Sequence, residues 1–286
     1  SAAFVHYLVF AADAFPGVAG LDNLGLPESG DDLSDVLQEA KWEADFLARM
    51  QDADGGFYFL VYPREREYEQ DVTPDRGDPQ IVFPKTTAVT AAATAALAQC
   101  AASPTFKRQF PKAAARYLEQ ARKGWAFLER ALAKHGQDGA YQKITHYGNE
   151  FLHEDELAWA ACELFLATGD AQIHKQLEAW LNPADPEKRW WGWWRLFGAY
   201  GCAIRSYAFG ARTGRIAREK LSPFLLEQCE VEIAAAGEDQ LRRAAQSAYG
   251  TSFPEETKRT LSAGWYFSLD AAFDLATAYQ IDYPAN

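Results

Sequence analysis

No run of eighteen apolar residues occurs in this 286-residue chain, so no segment reads as a membrane-spanning helix. Basic residues are outnumbered, 28 Lys and Arg against 40 Asp and Glu, which leaves a formal charge of −12. That balance lacks the basic patches that nucleic acid or an anionic membrane surface requires, so no nucleic-acid or membrane partner is expected. The four cysteines, Cys100, Cys162, Cys202 and Cys229, form no CxxC pair and read as small buried hydrophobes rather than metal ligands. His6, His135, His153 and His174 show no ligand spacing, so no zinc site is expected. There is no G-x-S-x-G, no P-loop and no G-x-G-x-x-G, which removes the common nucleophile-elbow and nucleotide-binding readings. The opening Ser1–Phe10 has neither a basic region nor a cleavage site, so it does not read as a signal peptide.

What is present is helix after helix, with short breaks and almost no strand signal. Over 32–51, Leu33, Val36, Leu37, Ala40, Ala44 and Leu47 fall at three- and four-residue steps, and Trp42, Phe46 and Met50 mark a second apolar face; such a helix is expected to be wedged between layers. Residues 86–102 are Ala/Thr-rich and nearly uncharged, which predicts full burial. Residues 111–134 open on Pro111 and close on Lys134-His-Gly136, a first-turn proline and a glycine stop. A helix over 153–168 stops at Gly169, with Asp170 placed to cap the next. Another over 195–212 stops at Thr213-Gly214. Repeated helix–glycine–helix hairpins point to an all-α fold, an α/α toroid or α-solenoid. Longer non-helical stretches lie at 55–84 and 136–152. No composition shift marks a boundary, so residues 1–286 read as one domain.

General acid–base chemistry needs paired titratable groups, most simply two carboxyl groups acting as acid and base. Asp54, Glu150, Glu154, Asp155 and Glu156 are the candidates. The last three open a helix, where carboxylates also complement the macrodipole without any catalytic role. Nine Trp and thirteen Tyr suit a cleft that stacks sugar faces, and suit a large aromatic core equally.

Two stretches carry a family resemblance. Asn149–Asp170, NEFLHEDELAWAACELFLATGD, resembles the "DELAWAA…L..ATGD" helix of glycoside hydrolase family 9, the inverting cellulases. Leu26–Gln51, LPESGDDLSDVLQEAKWEADFLARMQ, followed by Asp54-Gly-Gly-Phe-Tyr58, is similar to that family's "IPESGNGIPDILDEARWELEWMLKMQ…DGGVY" segment. The order and separation match as well. The resemblance implies an (α/α)6 barrel and hydrolysis of β-1,4-glucan with inversion. It implies that the catalytic aspartates of a "YDAGD" segment would precede Ala2–Phe15 and that the acid glutamate would follow the last helix. No residue of this chain inherits either role, so the chain is expected to hold the middle of the module, without its first and last segments; Glu150 and Glu156 are the fallback acids within it.

For the substrate cleft, the resemblance points to His146 and Tyr147 before the DEL helix, to Trp191 and Trp194 within Arg189-Trp-Trp-Gly-Trp-Trp-Arg195, and to Trp265 and Tyr266. His146 stands where an aromatic is usual, and Glu150 replaces a tryptophan. No cofactor is required by such a reaction, and the acidic loop Glu65–Asp78 is the place for a structural calcium. The family implies a secreted or periplasmic enzyme. The alternatives are a non-catalytic glycan-binding toroid, or a relative cleaving another β-linked sugar such as glucosamine.

Overall fold

The computed structural model describes residues 1–64, 79–136, 154–185, 195–252 and 264–282, and helix takes up 70 % of them. The helices are α1 (Ala2–Ala14), α2 (Asp35–Arg49), α3 (Thr87–Ala102), α4 (Pro104–Gln109), α5 (Pro111–His135), α6 (Glu154–Thr168), α7 (Ala171–Trp180), α8 (Gly198–Phe209), α9 (Pro223–Gln246) and α10 (Gly264–Asp282). A short antiparallel hairpin pairs β1 (Val61–Pro63) with β2 (Gln80–Val82), Tyr62 opposite Ile81.

Burial sorts the helices into two layers. In α3 fourteen of sixteen residues are buried and in α8 ten of twelve, against nine of twenty-five in α5. A helix apolar all round must be enclosed, whereas an amphipathic one covers it from outside. α3 packs on α5 and α6, α6 on α7 and α8, α8 on α9, and α1 on α2 and α3. The inner helices α1, α3, α6 and α8 run parallel. Asp13 at the end of α1 accepts a hydrogen bond from Ser103 Oγ at the end of α3 (2.9 Å), and Asp155 and Gly198 sit together at the starts of α6 and α8. The result is an arc of inner–outer helical pairs, the α/α-barrel arrangement.

Small residues set the spacing. A Cβ on Gly124 of α5 would fall 2.2 Å from Thr94 Oγ1 of α3, so the two helices touch closely there. Fully buried leucines such as Leu37, Leu97 and Leu157 each contribute about 1.5–3 kcal/mol through burial.

The caps fall where the sequence placed them. Asp170 accepts from the amides of Gln172 and Ile173, Pro111 occupies the first turn of α5, and Gly136 ends it at φ 70°. All four cysteines are buried and free.

Two expectations need correction. Trp42 is 67 % exposed, so α2 is not wedged between layers at that point. α2 belongs to the outer layer and rests on α1 and α3 through its Val36–Leu47 face, which turns Trp42 outward. The helix expected over 195–212 is shorter at both ends, because Leu196 (φ 61°) and Gly198 (φ 70°) are left-handed and Gly210–Gly214 forms turns.

Candidate active site

The first two segments singled out for the cleft lead into inner helices, 137–153 into α6 and 186–194 into the start of α8, and the third place, Trp265 and Tyr266, falls at the start of α10. His146, Tyr147 and Glu150 lie outside the described residues, as do Trp191, Trp194 and the Glu65–Asp78 loop. Trp265 and Tyr266 belong to the first turn of α10, with their side chains outside the described set. What is described is the helix end onto which the first of these segments joins.

There Glu154, Asp155 and Glu156 open α6, Glu154 exposed, Asp155 buried and Glu156 half-buried. Burial pushes the Glu156 carboxyl well above the usual carboxylate range, reinforced by the charge of Asp155 and a hydrogen bond with it. Oε2 of Glu156 is enclosed and finds no partner among the described residues. The neighbouring wall is the start of α8: a Cβ on Gly198 would lie 3.4 Å from Asp155 Oδ2. Burial also raises the Tyr200 hydroxyl, followed by the negative charge of Asp155 and Glu154. Two carboxyl groups this close titrate as a pair, and burial of one of them disfavours its charged form.

Asp54, by contrast, has a structural partner. Lys85 Nζ lies 2.8 Å from Asp54 Oδ2 and 2.7 Å from Asp52 Oδ2, and the Tyr58 hydroxyl donates to Asp52 (3.0 Å). Its hydrogen bond with Lys85 brings the Asp52 carboxyl down to about 2. The cluster ties the loop after α2 to the start of α3. Beside it, an apolar pocket of about 200 Å3 lies between the starts of α1 and α3 and the end of α2, lined by Phe46, Met50, Phe57, Tyr58, Phe59 and Val89 among others. Among the described residues no cluster of three or more His, Cys, Asp or Glu is placed to hold a metal ion.

Deeper in the barrel lie charges that the sequence analysis passed over. Glu163 of α6, fully buried, accepts from Trp159 Nε1 (3.1 Å), from Ser206 Oγ of α8 and from the Arg215 guanidinium. His6 Nδ1 is 3.9 Å from the same carboxylate and 3.1 Å from Gln99 Oε1. Burial, then the charge of Arg205, holds His6 well below its ordinary value, so this is a contact with a neutral imidazole. One turn away from Cys202, Arg205 pairs with Asp274 of α10, both buried, and lies over the rings of Tyr7 and Phe273 at 5.6 Å. The signal for them was available: Glu163 and Arg205 each interrupt an otherwise apolar helical run, and a charge on a buried face must have a partner.

Asp270, one turn before Asp274, is pushed up to about 6 by burial, partly offset by Arg205 and reinforced by Asp274. Its folded value lies above the unfolded one, so between about pH 6 and 4 the native state binds a proton that the unfolded chain does not. Its contribution to stability therefore grows as pH falls through that window. Asp270→Asn, which mimics the protonated form, is expected to stabilise the protein at pH 7.5 and to be neutral at pH 4. Urea midpoints at the two pH values check this; equal differences at both would refute it.

The sequence profile of glycosyl hydrolase family 9 matches residues 3–274. The chain belongs to that family. Among curated relatives, Endoglucanase C of Cellulomonas fimi is 33 % identical over 153 residues, which is 51 % of this chain and 14 % of that protein. A thermostable endoglucanase from Alicyclobacillus acidocaldarius, solved as a single mutant, superposes at a TM-score of 0.71 with 20 % identity, covering 99 % of this chain and 51 % of that one. AaCel9A in complex with cellobiose-like isofagomine superposes at 0.72 with 21 % identity, covering 99 % and 52 %. These likenesses establish the (α/α)6-barrel fold of the family 9 chain, which spans about half of the solved neighbours and less of the curated relative.

Proposed function

We propose that this family 9 chain is the glycan-binding part of a cellulase-like glycoside hydrolase acting on β-1,4-glucan with inversion, outside the cytoplasm. The observation that carries the proposal is the family match across residues 3–274, joined to a barrel whose α6 opens on the Asp155–Glu156 pair. The endoglucanase name of the relative and the cellobiose-like ligand of AaCel9A support β-glucan as the substrate class. In this reading His146, Tyr147, Trp191, Trp194, Trp265 and Tyr266 line the cleft. The hydrolysis itself needs no cofactor, and a calcium in the Glu65–Asp78 loop would serve structure alone.

No residue of the chain matches the family's base aspartate or acid glutamate, which favours binding without turnover by these 286 residues. Calorimetric titration with cellotetraose should show binding. Reducing-sugar release from carboxymethylcellulose should stay far below that of a complete family 9 enzyme, since loss of one general acid or base costs about 10²–10⁴-fold. Robust turnover that Glu156→Gln abolishes would assign the acid to Glu156 instead. Binding of a glucosamine oligomer in preference to cellotetraose would move the substrate to another β-linked sugar.

A further inference from the structure

Three helices and the cap of a fourth meet at His174. This residue of α7 is half-buried. Its imidazole lies face to face with the buried ring of Phe165 of α6, centroids 4.1 Å apart and planes 18° from parallel. Its Nε2 is 2.8 Å from the hydroxyl of Tyr207 of α8, whose side chain is fully buried. The same hydroxyl accepts from the Ser222 amide at 2.8 Å, and Ser222 is the N-cap of α9. Two hydrogen bonds in series therefore tie α7, α8 and the start of α9 together.

Counting hydrogens fixes the state of the imidazole. A tyrosine hydroxyl has one hydrogen to give. The Tyr207 oxygen already accepts from Ser222, and among the described residues its hydrogen has no acceptor other than His174 Nε2. Tyr207 therefore donates to Nε2, which carries no hydrogen, so the ring is neutral with its proton on Nδ1. Protonation puts a hydrogen on Nε2 as well, and two donors then face each other across 2.8 Å. The tyrosine hydrogen must turn away into a buried place where no acceptor meets it, and an unpartnered buried polar group is costly. We propose that His174 is a proton-operated latch: as the neutral imidazole it joins α7 through Tyr207 to the start of α9, and taking up a proton opens that joint. Burial is the largest influence on the ring and holds it below its ordinary value, against the opposing charge of Glu178 one turn along α7. The Phe165 face also favours the charged ring, but less than burial opposes it. From α8 the facing titratable group is the Tyr207 phenol, with Cys162 of α6 and Cys229 of α9 near it. From the connection before α9, Lys220 Nζ lies against Gly169 at the α6–α7 turn. As pH falls below about 6.5, an opened joint takes up a proton that the closed one refuses, so the joint weakens on acidification.

The test compares the full chain with its His174→Gln and Glu178→Gln variants. It reads the imidazole nitrogen shifts by NMR, and amide hydrogen exchange between pH 7.5 and 5 as protection relative to the free-chain rate at each pH. At pH 7.5 His174 should show a bare Nε2 and a protonated Nδ1. Protection of the Ser222 amide should fall below about pH 6.5 by up to about tenfold per pH unit, the limit for one proton. That fall should exceed any at the amides of α3. In His174→Gln, which cannot titrate, the extra fall at Ser222 should vanish. In Glu178→Gln it should begin at lower pH, because a charge that favours the protonated ring is gone. If His174→Gln does not fold, Glu178→Gln, an exposed change, carries the comparison. A protonated Nε2 at pH 7.5 would overturn the proposal. So would Ser222 protection that moves only in step with α3, or that falls alike in His174→Gln.

Discussion

Replacing Glu163 by alanine is expected to cost about 3–5 kcal/mol of stability, the range for breaking a buried ion pair by removing one partner. Arg215 would be left nearly enclosed, its side chain 4 % exposed, without its hydrogen-bonded carboxylate and with only the more distant charge of Asp13 acting on it. Trp159 Nε1 and Ser206 Oγ would lose their acceptor in the same step, and each unsatisfied buried donor adds about 1–3 kcal/mol on its own. These costs overlap, so they are not summed. Removing the arginine as well should recover part of the loss. A double variant Glu163→Met with Arg215→Met is expected to be more stable than Glu163→Ala, because the uncompensated charge is gone and apolar volume returns. Urea denaturation of the single and double variants decides it, and a double variant less stable than Glu163→Ala would contradict the account. The neutral His6 beside this carboxylate gives the site a pH signature of its own. Its folded value lies below the unfolded one, so as pH falls below about 6.5 the unfolded chain takes up a proton that the native state refuses. That contribution to stability is lost on acidification, opposite in sign to that of Asp270.

Gly201→Ala is the second change with a large expected effect, and here the sign separates two arguments. Inside a helix, alanine is favoured over glycine by roughly 0.8–1 kcal/mol, so local propensity calls the substitution stabilising. The methyl group, however, would sit 1.7 Å from the Leu196 carbonyl oxygen, which is backbone and cannot rotate away. Leu196 would have to leave its left-handed turn, releasing the bond from Arg205 and the approach of the chain to Asp155. Overpacking of this kind costs about 1–3 kcal/mol and occasionally more. A loss of about 3 kcal/mol, or failure to fold, is expected. Gly20→Ala is the control: nothing lies within 4 Å of its Cβ position, so its change should stay within about 0.5 kcal/mol. Equal melting temperatures for the two variants would show that the α8 entry yields easily.

Much of the architecture was legible because it is written in local terms. The uncharged Ala/Thr run of α3, the Asp170 cap, the Gly136 and Gly169 stops and the DEL helix are all readable along the chain. Helix formation, helix termination and burial of an all-apolar face depend on residues within a turn or two of one another. The family segments around Leu26–Tyr58 and Asn149–Asp170 were legible for the same reason. The exposure of Trp42 was not, since a second apolar face says nothing about whether a layer exists to cover it.

The candidate site divides along the same line. The sequence by itself determined that aromatic segments precede the helices over 153–168 and 195–212 and that Glu154–Glu156 opens the first of them. Only the tertiary structure decided that Asp54 is tied up by Lys85, that burial beside Asp155 raises the Glu156 carboxyl, and that Arg195 reaches Glu232 and Asp239 on another helix. It also decided that Arg215, His6 and Ser206, from three other parts of the chain, gather around the buried Glu163 carboxylate. The physical reason is that a pKa, an ion pair or an enforced φ is fixed by distance and dielectric in space, and neighbours brought together by packing leave no mark in the spacing of residues along the chain.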